Sequence, residues 1–176
     1  MGSPLTITRP LDAADAESFR ALRLMAIATS PTSIWPTHQE ESARTLEEIE
    51  ARIRPTATQI VFGLFVGSEL IGIAGLRREA LQQIGHKGWV WGVFVKPSHR
   101  GRGYARTLFE ALMAHARTGW GLSQLLLSVN ADNVAAQGLY ESLGFATFGV
   151  EPRAMRVGDR YFDERHMILP LLPWAE

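Results

Sequence analysis

"WVWGVFVKPSHRGRGYARTLF", residues 89–109, decides how this chain is read. Trp89, Trp91, Val93 and Val95 fall on one side of an alternating run, and Val90 and Phe94 on the other, so both faces are apolar. A strand of that kind lies inside a sheet, covered on both sides. Pro97 stops it, and Gly101 and Gly103 make a tight turn around Arg100 and Arg102. Ala105, Leu108, Leu112 and Ala116 then recur at helical spacing. The first amides of a helix lack acceptors inside it and carry the positive end of its dipole. Glycines let an anion approach that backbone closely, and arginines add charge and forked donors. Strand, glycine turn and helix start together predict a phosphate cradle. A solvated turn is the plain alternative. No G-K-[ST] follows, and the glycine spacing does not fit a dinucleotide fingerprint.

Upstream, "TQIVFGLFV" and "ELIGIAGLRRE" flank Gly67-Ser68, a two-residue turn that predicts a hairpin. "LTITRP" alternates as a short first strand, and Asp12 caps a helix with Phe19, Leu22, Met25 and Ile27 on its apolar side. "SPTSIWP" breaks that helix, and a second, charged helix is expected from about Gln39 to Arg54, striped by Leu46, Ile49 and Ile53. Downstream, "LSQLLLSV" reads as a buried strand and "NVAAQGLYESL" as a helix closed by Gly144. "FATFGVEPRAMRV" and "RYFDERHMILPLL" form a closing pair of strands around Gly158-Asp159. The pattern is mixed α/β with no repeat, and one domain over residues 1–176 is expected.

Composition excludes several functions. Formal net charge is zero, so there is no general electrostatic pull toward nucleic acid or a membrane surface. With no cysteine, a thiolate metal site, a disulfide and a Cys nucleophile are all ruled out. His38, His86, His99, His115 and His166 show no ligand spacing, and no metal is expected. No apolar run is long enough for a bilayer, and "MGSPLTITRP" lacks the core of a secretory leader, so a cytoplasmic location is expected.

Arg100-Gly101-Arg102-Gly103-Tyr104-Ala105 matches the R-x-x-G-x-[GA] motif of the GNAT superfamily of acyl-CoA-dependent N-acetyltransferases. "VNADNVAAQGLYESLGF" resembles that family's second signature at Asn133, Ala136, Leu139, Tyr140, Gly144 and Phe145. The likeness runs from Leu5 to Leu172, and the tail "VEPRAMRVGDRYFDERHMILPL" is similar to that of an uncharacterised subgroup. It implies the GNAT fold, a mixed central sheet of about six to seven strands flanked by about four helices. It also implies acetyl-CoA as cosubstrate, a primary amine on a small molecule or peptide as acceptor, and direct attack. A homodimer is plausible for such a fold.

By the same resemblance, the amides of Arg100, Gly101, Arg102, Gly103, Tyr104 and Ala105 hold the coenzyme A pyrophosphate. Phe94 and Val95 face the pantetheine arm, and Asn130, Asn133 and Ala136 border it. The Val95 amide polarises the thioester carbonyl. Tyr140 is the general acid for the departing thiolate, with a core aromatic as its alternative reading. An alkyl ammonium, with a pKa near ~10.4, must lose a proton before it can attack. Many relatives carry a glutamate on the central strand, but "WVWGVFV" has none. Glu79, His86 and Glu164 are the substitutes, with a water relay equally open. Trp89 and Trp91 wall either an acceptor pocket or the core, and Glu40 and Glu41 read as exposed glutamates favouring a helix dipole. Arg153, Arg156 and Arg160 are expected to pair with Asp159, Asp163 and Glu164 across the last hairpin. The missing strand glutamate keeps a second function open, a catalytically silent acyl-CoA-binding module.

Overall fold

The computed structural model describes residues 5–173; Met1–Pro4, the first four residues of the stretch read for a leader, and Trp174–Glu176 lie outside the described residues. β1 (Thr6–Pro10) is followed by α1 (Ala16–Thr29), α2 (His38–Ser42) and α3 (Leu46–Ile53). β2 (Gln59–Val66), β3 (Glu69–Arg78) and β4 (Lys87–Val95) come next, then α4 (Tyr104–Ala114), β5 (Gln124–Asn130) and α5 (Val134–Ser142). β6 (Ala146–Val157) and β7 (Arg160–Pro170) close the chain. The seven strands form one mixed sheet in the order β1-β2-β3-β4-β5-β7-β6, within the six to seven strands expected.

Local sequence chemistry places most boundaries. Gly67 and Gly158 take φ of 60° at the two hairpin turns, and Gly144 takes 96° after α5, as expected of positions that favour glycine. Asp12 accepts from the Ala14 amide and starts a short 3-10 turn that leads into α1.

Three readings need correction. The charged helix expected over Gln39–Arg54 is two helices, because Thr45 opens α3 with its own capping box to Glu48. Met25 is 38% exposed, whereas Arg23, one turn from Phe19, is buried in its place. β4 does not alternate evenly. Gly92 has φ 63°, and the pairing with β3 slips between Ile73 and Gly75. Such a bulge reverses which residues face which side. Trp91 and Phe94 therefore join one core, while Val90 and Val95 join the other.

The two cores cover the two faces of the sheet. α4 and α5 lay Leu108, Phe109, Leu112 and Tyr140 on one face with Leu76, Val90 and Leu127. α1 and α3 lay Phe19, Leu22, Ile49 and Ile53 on the other with Val61, Ile73 and Phe94. Each fully buried leucine or phenylalanine contributes about 1.5–3 kcal/mol.

The central seam positions the site. β4 and β5 are parallel neighbours, paired only from Lys87↔Gln124 to Trp89↔Leu126. Beyond Trp89 the strands part, and β4 runs on to Val95 with no partner on that side. No helix of the described residues is long and apolar enough to cross a membrane.

Candidate active site

A cavity of about 1140 Å³ occupies the opened seam. Val93–Val95 of β4 and Leu127–Asn130 of β5 form its sides, α5 contributes Ala136, Leu139 and Tyr140, and the loop Ser30–Pro36 lies across it.

The glycine-arginine turn stands at the end of β4. Gly101 and Gly103 take φ of 75° and 80°, and nothing stands within 4 Å of where a Cβ would be. Gly103 is the N-cap of α4 and no side chain caps the helix, so its first amides are left open. Arg100 Nε donates to the Val95 carbonyl at 3.0 Å, tying the turn to the strand end. Its guanidinium also lies over the Phe94 ring. Arg100, Gly101, Gly103, Tyr104 and Ala105 line the cavity, whereas the Arg102 side chain is exposed and outside the lining.

Ladder geometry aims the Val95 backbone. The Lys96 amide donates to the Ile71 carbonyl at 2.9 Å. Residues of an antiparallel ladder alternate between facing their neighbour and facing away. Val95, opposite Gly72, therefore turns its N–H and C=O from β3 toward the seam. On that side the carbonyl meets Arg100.

Tyr140 packs against Phe109 and Phe145 at ring distances of 5.3 and 6.0 Å and lines the cavity. Burial pushes its phenol up to about 12, so it keeps its proton at neutral pH. Asn133 caps α5 by accepting from the Ala136 amide at 3.1 Å. Asn130 accepts from the Asp132 amide and donates to the Thr32 carbonyl at 3.2 Å, strapping the loop across the cavity to β5.

The candidate bases separate. Glu79 and His86 sit at the opposite end of β3 and β4 and do not line the cavity; His86 is exposed. The lining carboxylates are Asp132 and Glu164. Glu164 is 5% exposed and accepts from Trp35 Nε1 at 2.8 Å, so it does not pair across the last hairpin. In that hairpin Arg156 pairs with Asp159, while Arg153 and Arg160 stack on Tyr161 and Phe162.

The largest departure from the sequence reading lies beside Gly92. Glu41 is wholly buried rather than an exposed helix-start glutamate. Arg23 Nε donates to it at 3.0 Å, and Arg52 and Arg44 lie 3.4 and 3.5 Å away. Burial works against the Glu41 charge, but the Arg23 hydrogen bond and the surrounding guanidinium charges outweigh it and hold the carboxyl below the usual range. Burial, and then the Arg23 charge, pull Arg52 down to about 10. Arg52 stacks over Trp91, and Arg23, Arg52, Trp89 and Trp91 all line the cavity. A buried arginine on α1 was the available signal, since Arg23 stands in line with Phe19 and Leu22.

The chain matches the acetyltransferase (GNAT) family model over residues 22–145. It is 33% identical over 142 residues to a mycothiol acetyltransferase of Thermobispora bispora, covering 78% of this chain and 45% of that protein. It thus spans about half the length, or less, of the curated relatives it matches. A GNAT acetyltransferase from Streptococcus pneumoniae superposes with a TM-score of 0.84 at 21% identity, covering 94% of this chain and 99% of that one. The Salmonella typhimurium protein yncA, solved with its cofactor acetyl-CoA, superposes at 0.82 with 23% identity, covering 98% and 97%. Two linked motifs, a split central seam and a family match over most of its length agree: this chain belongs to the acetyltransferase (GNAT) family.

Proposed function

We propose that the chain transfers an acetyl group from acetyl-CoA to a primary amine of a small molecule or peptide by direct attack. The observation that carries this reading is the seam between β4 and β5 ending at an open glycine turn. The residues fit the cosubstrate: Gly101 and Gly103 leave room where a Cβ would stand, and the uncapped amides of α4 suit a pyrophosphate. Acetyl-CoA supplies a thioester that amines can attack. Asn130, Asn133 and Ala136 border the slot for its arm.

The chain's own groups divide the remaining work. The Val95 N–H, turned toward the seam, donates to a carbonyl oxygen lodged there. The acceptor ammonium first loses a proton to Glu164, the buried carboxylate on the cavity wall, directly or through water, and the nitrogen releases a second to solvent as its bond to carbon forms. Tyr140 Oη supplies a proton to the departing sulfur as the carbon–sulfur bond breaks, then regains one from solvent. With no cysteine in the chain, no thioester forms on the protein.

Incubating the protein with acetyl-CoA and primary amines, and following released thiol, tests this reading. Amine-dependent release supports it. Binding of acetyl-CoA with no release from any amine would leave a silent acyl-CoA-binding module instead.

A further inference from the structure

We propose that the accepted amine also carries a carboxylate, held by Arg23 and Arg52, so that the acceptor is a small amino acid rather than a polyamine. This deepens the acetyl-transfer reading and rests on it.

Charge balance is the first observation. One carboxylate, Glu41, serves three guanidinium groups, those of Arg23, Arg44 and Arg52. The cluster is therefore cationic by two charges; its Arg23–Glu41 centre is closed to solvent, while the Arg52 and Arg44 side chains are 24% and 38% exposed. Excess positive charge partly withdrawn from water attracts a counter-ion.

Direction is the second. Arg23 is 1% exposed, yet it lines the cavity. Its Nε and Nη2 face Glu41, whereas Nη1 has no hydrogen-bond acceptor among the described residues. Nη1 stands beside the bulge, 3.3 Å from where a Cβ on Gly92 would be. Arg52 lies over the Trp91 ring and contributes to the same wall. Arg77, the cross-strand partner of Trp89, adds a further cation there. Planar forked donors of this kind match a carboxylate in two-point contact.

The arginines are separate from the phosphate cradle. Arg23 and Arg52 come from α1 and α3, on the face of the sheet opposite α4, whose N-terminus forms the cradle. Gly92 is three residues before Val95, roughly 10 Å back along an extended strand. The acidic lining groups, Asp132 and Glu164, lie across the seam around β5 and β7. A zwitterion satisfies both walls, with its carboxylate on the guanidinium side. A polyamine sets ammonium groups against the arginines.

The test uses the twenty L-amino acids beside matched amines without the carboxylate, such as phenethylamine for phenylalanine and cadaverine for lysine. Binding is read first, by thermal unfolding with each compound alone, and thiol release with acetyl-CoA second. At least one amino acid should stabilise the protein and be acetylated, with kcat/KM at least about tenfold above that of its decarboxylated partner. Arg52→Gln should raise the KM for that amino acid roughly ten- to a hundredfold, the loss expected of a hydrogen bond to a charged group. Its KM for acetyl-CoA should stay within about twofold of the parent. Arg52→Lys, which keeps the charge and loses the fork, should fall between the two. Amines acetylated as well as their amino acids, no amino acid that binds, or an unchanged KM in Arg52→Gln would each overturn the proposal. An amino acid that binds to a protein that does not bind acetyl-CoA would sink the transfer reading alone and leave the anion site standing.

Discussion

Arg23 of α1 donates through Nε to Glu41 of α2 at 3.0 Å, with 1% and 0% of the two residues exposed. The pair joins α1 to α2 and leaves Arg23 Nη1, on the cavity wall, without an acceptor among the described residues. Glu41→Gln keeps the shape and removes the only carboxylate in the cluster. Stranding a buried charge in this way costs about 3–5 kcal/mol. Urea unfolding should show a loss of that size. Glu40→Gln, at an exposed capping position, should cost about 1 kcal/mol or less.

Acid should weaken the fold through the same pair. Glu41 is held below its ordinary 4.5 by Arg23 and its neighbours against the opposing effect of burial, and Asp15 is held below 3.8 chiefly by its hydrogen bonds from Arg9. A carboxyl depressed in the folded state contributes stability above its unfolded value and loses it as pH falls through the folded value. Urea midpoints should hold steady from neutral pH down to about 5 and then fall. Glu41→Gln should show a shallower fall across the same range. Equal slopes in parent and variant would remove Glu41 from the account.

Trp91 lies on Gly75, its cross-strand partner, so closely that a Cβ at Gly75 would overlap three carbons of the indole. Gly75→Ala should therefore displace Trp91 and cost about 1–3 kcal/mol. Displacement also separates Trp91 from the Arg52 guanidinium. Tryptophan emission should shift in the folded protein, and an unshifted spectrum with parental stability would contradict this packing.

Tyr140→Phe keeps the ring contacts with Phe109 and Phe145 and removes one oxygen. Turnover should drop about 10²- to 10⁴-fold, the range for a lost general acid, with the acetyl-CoA dissociation constant nearly unchanged. Burial raises the phenol to about 12, so the parent's rate should not fall through pH 10 because of this group. Stability has the opposite behaviour. Between pH 10 and 12 the unfolded chain ionises Tyr140 while the folded chain keeps the proton, so stability declines over that window. The decline should be smaller in Tyr140→Phe. Parental turnover in that variant would remove Tyr140 from the chemistry.

How far the sequence carried these conclusions depended on distance along the chain. The cradle spans Arg100 to Ala105, so its strand end, glycines and helix start are contiguous and can be read directly. The turn glycines Gly67, Gly144 and Gly158 were legible for the same reason. The guanidinium wall was not. It draws on Arg23, Glu41, Arg52 and Trp91 from three helices and a strand, and no local pattern links them. Glu41 was hidden further because a glutamate in a first helical turn has a sufficient local explanation. Simple alternation also failed at Gly92, where a single bulged residue moved Trp91 to the other face from Val95. Glu164, one of the bases named from the sequence, does line the cavity, but its bond to Trp35, 129 residues away in the chain, had no local signal.

The most direct test of the central claim is thermal unfolding with acetyl-CoA, set beside the same scan with ATP. A ligand held only by the folded state at a hundredfold its dissociation constant adds about 2.7 kcal/mol of apparent stability. The open amides after Gly103 and the seam beside Val95 predict a clear upward shift with acetyl-CoA and little with ATP. They also predict that Gly103→Ala, forced to a φ of 80°, loses most of that shift. An unfolding temperature unmoved by saturating acetyl-CoA would mean that the glycine turn is only a turn.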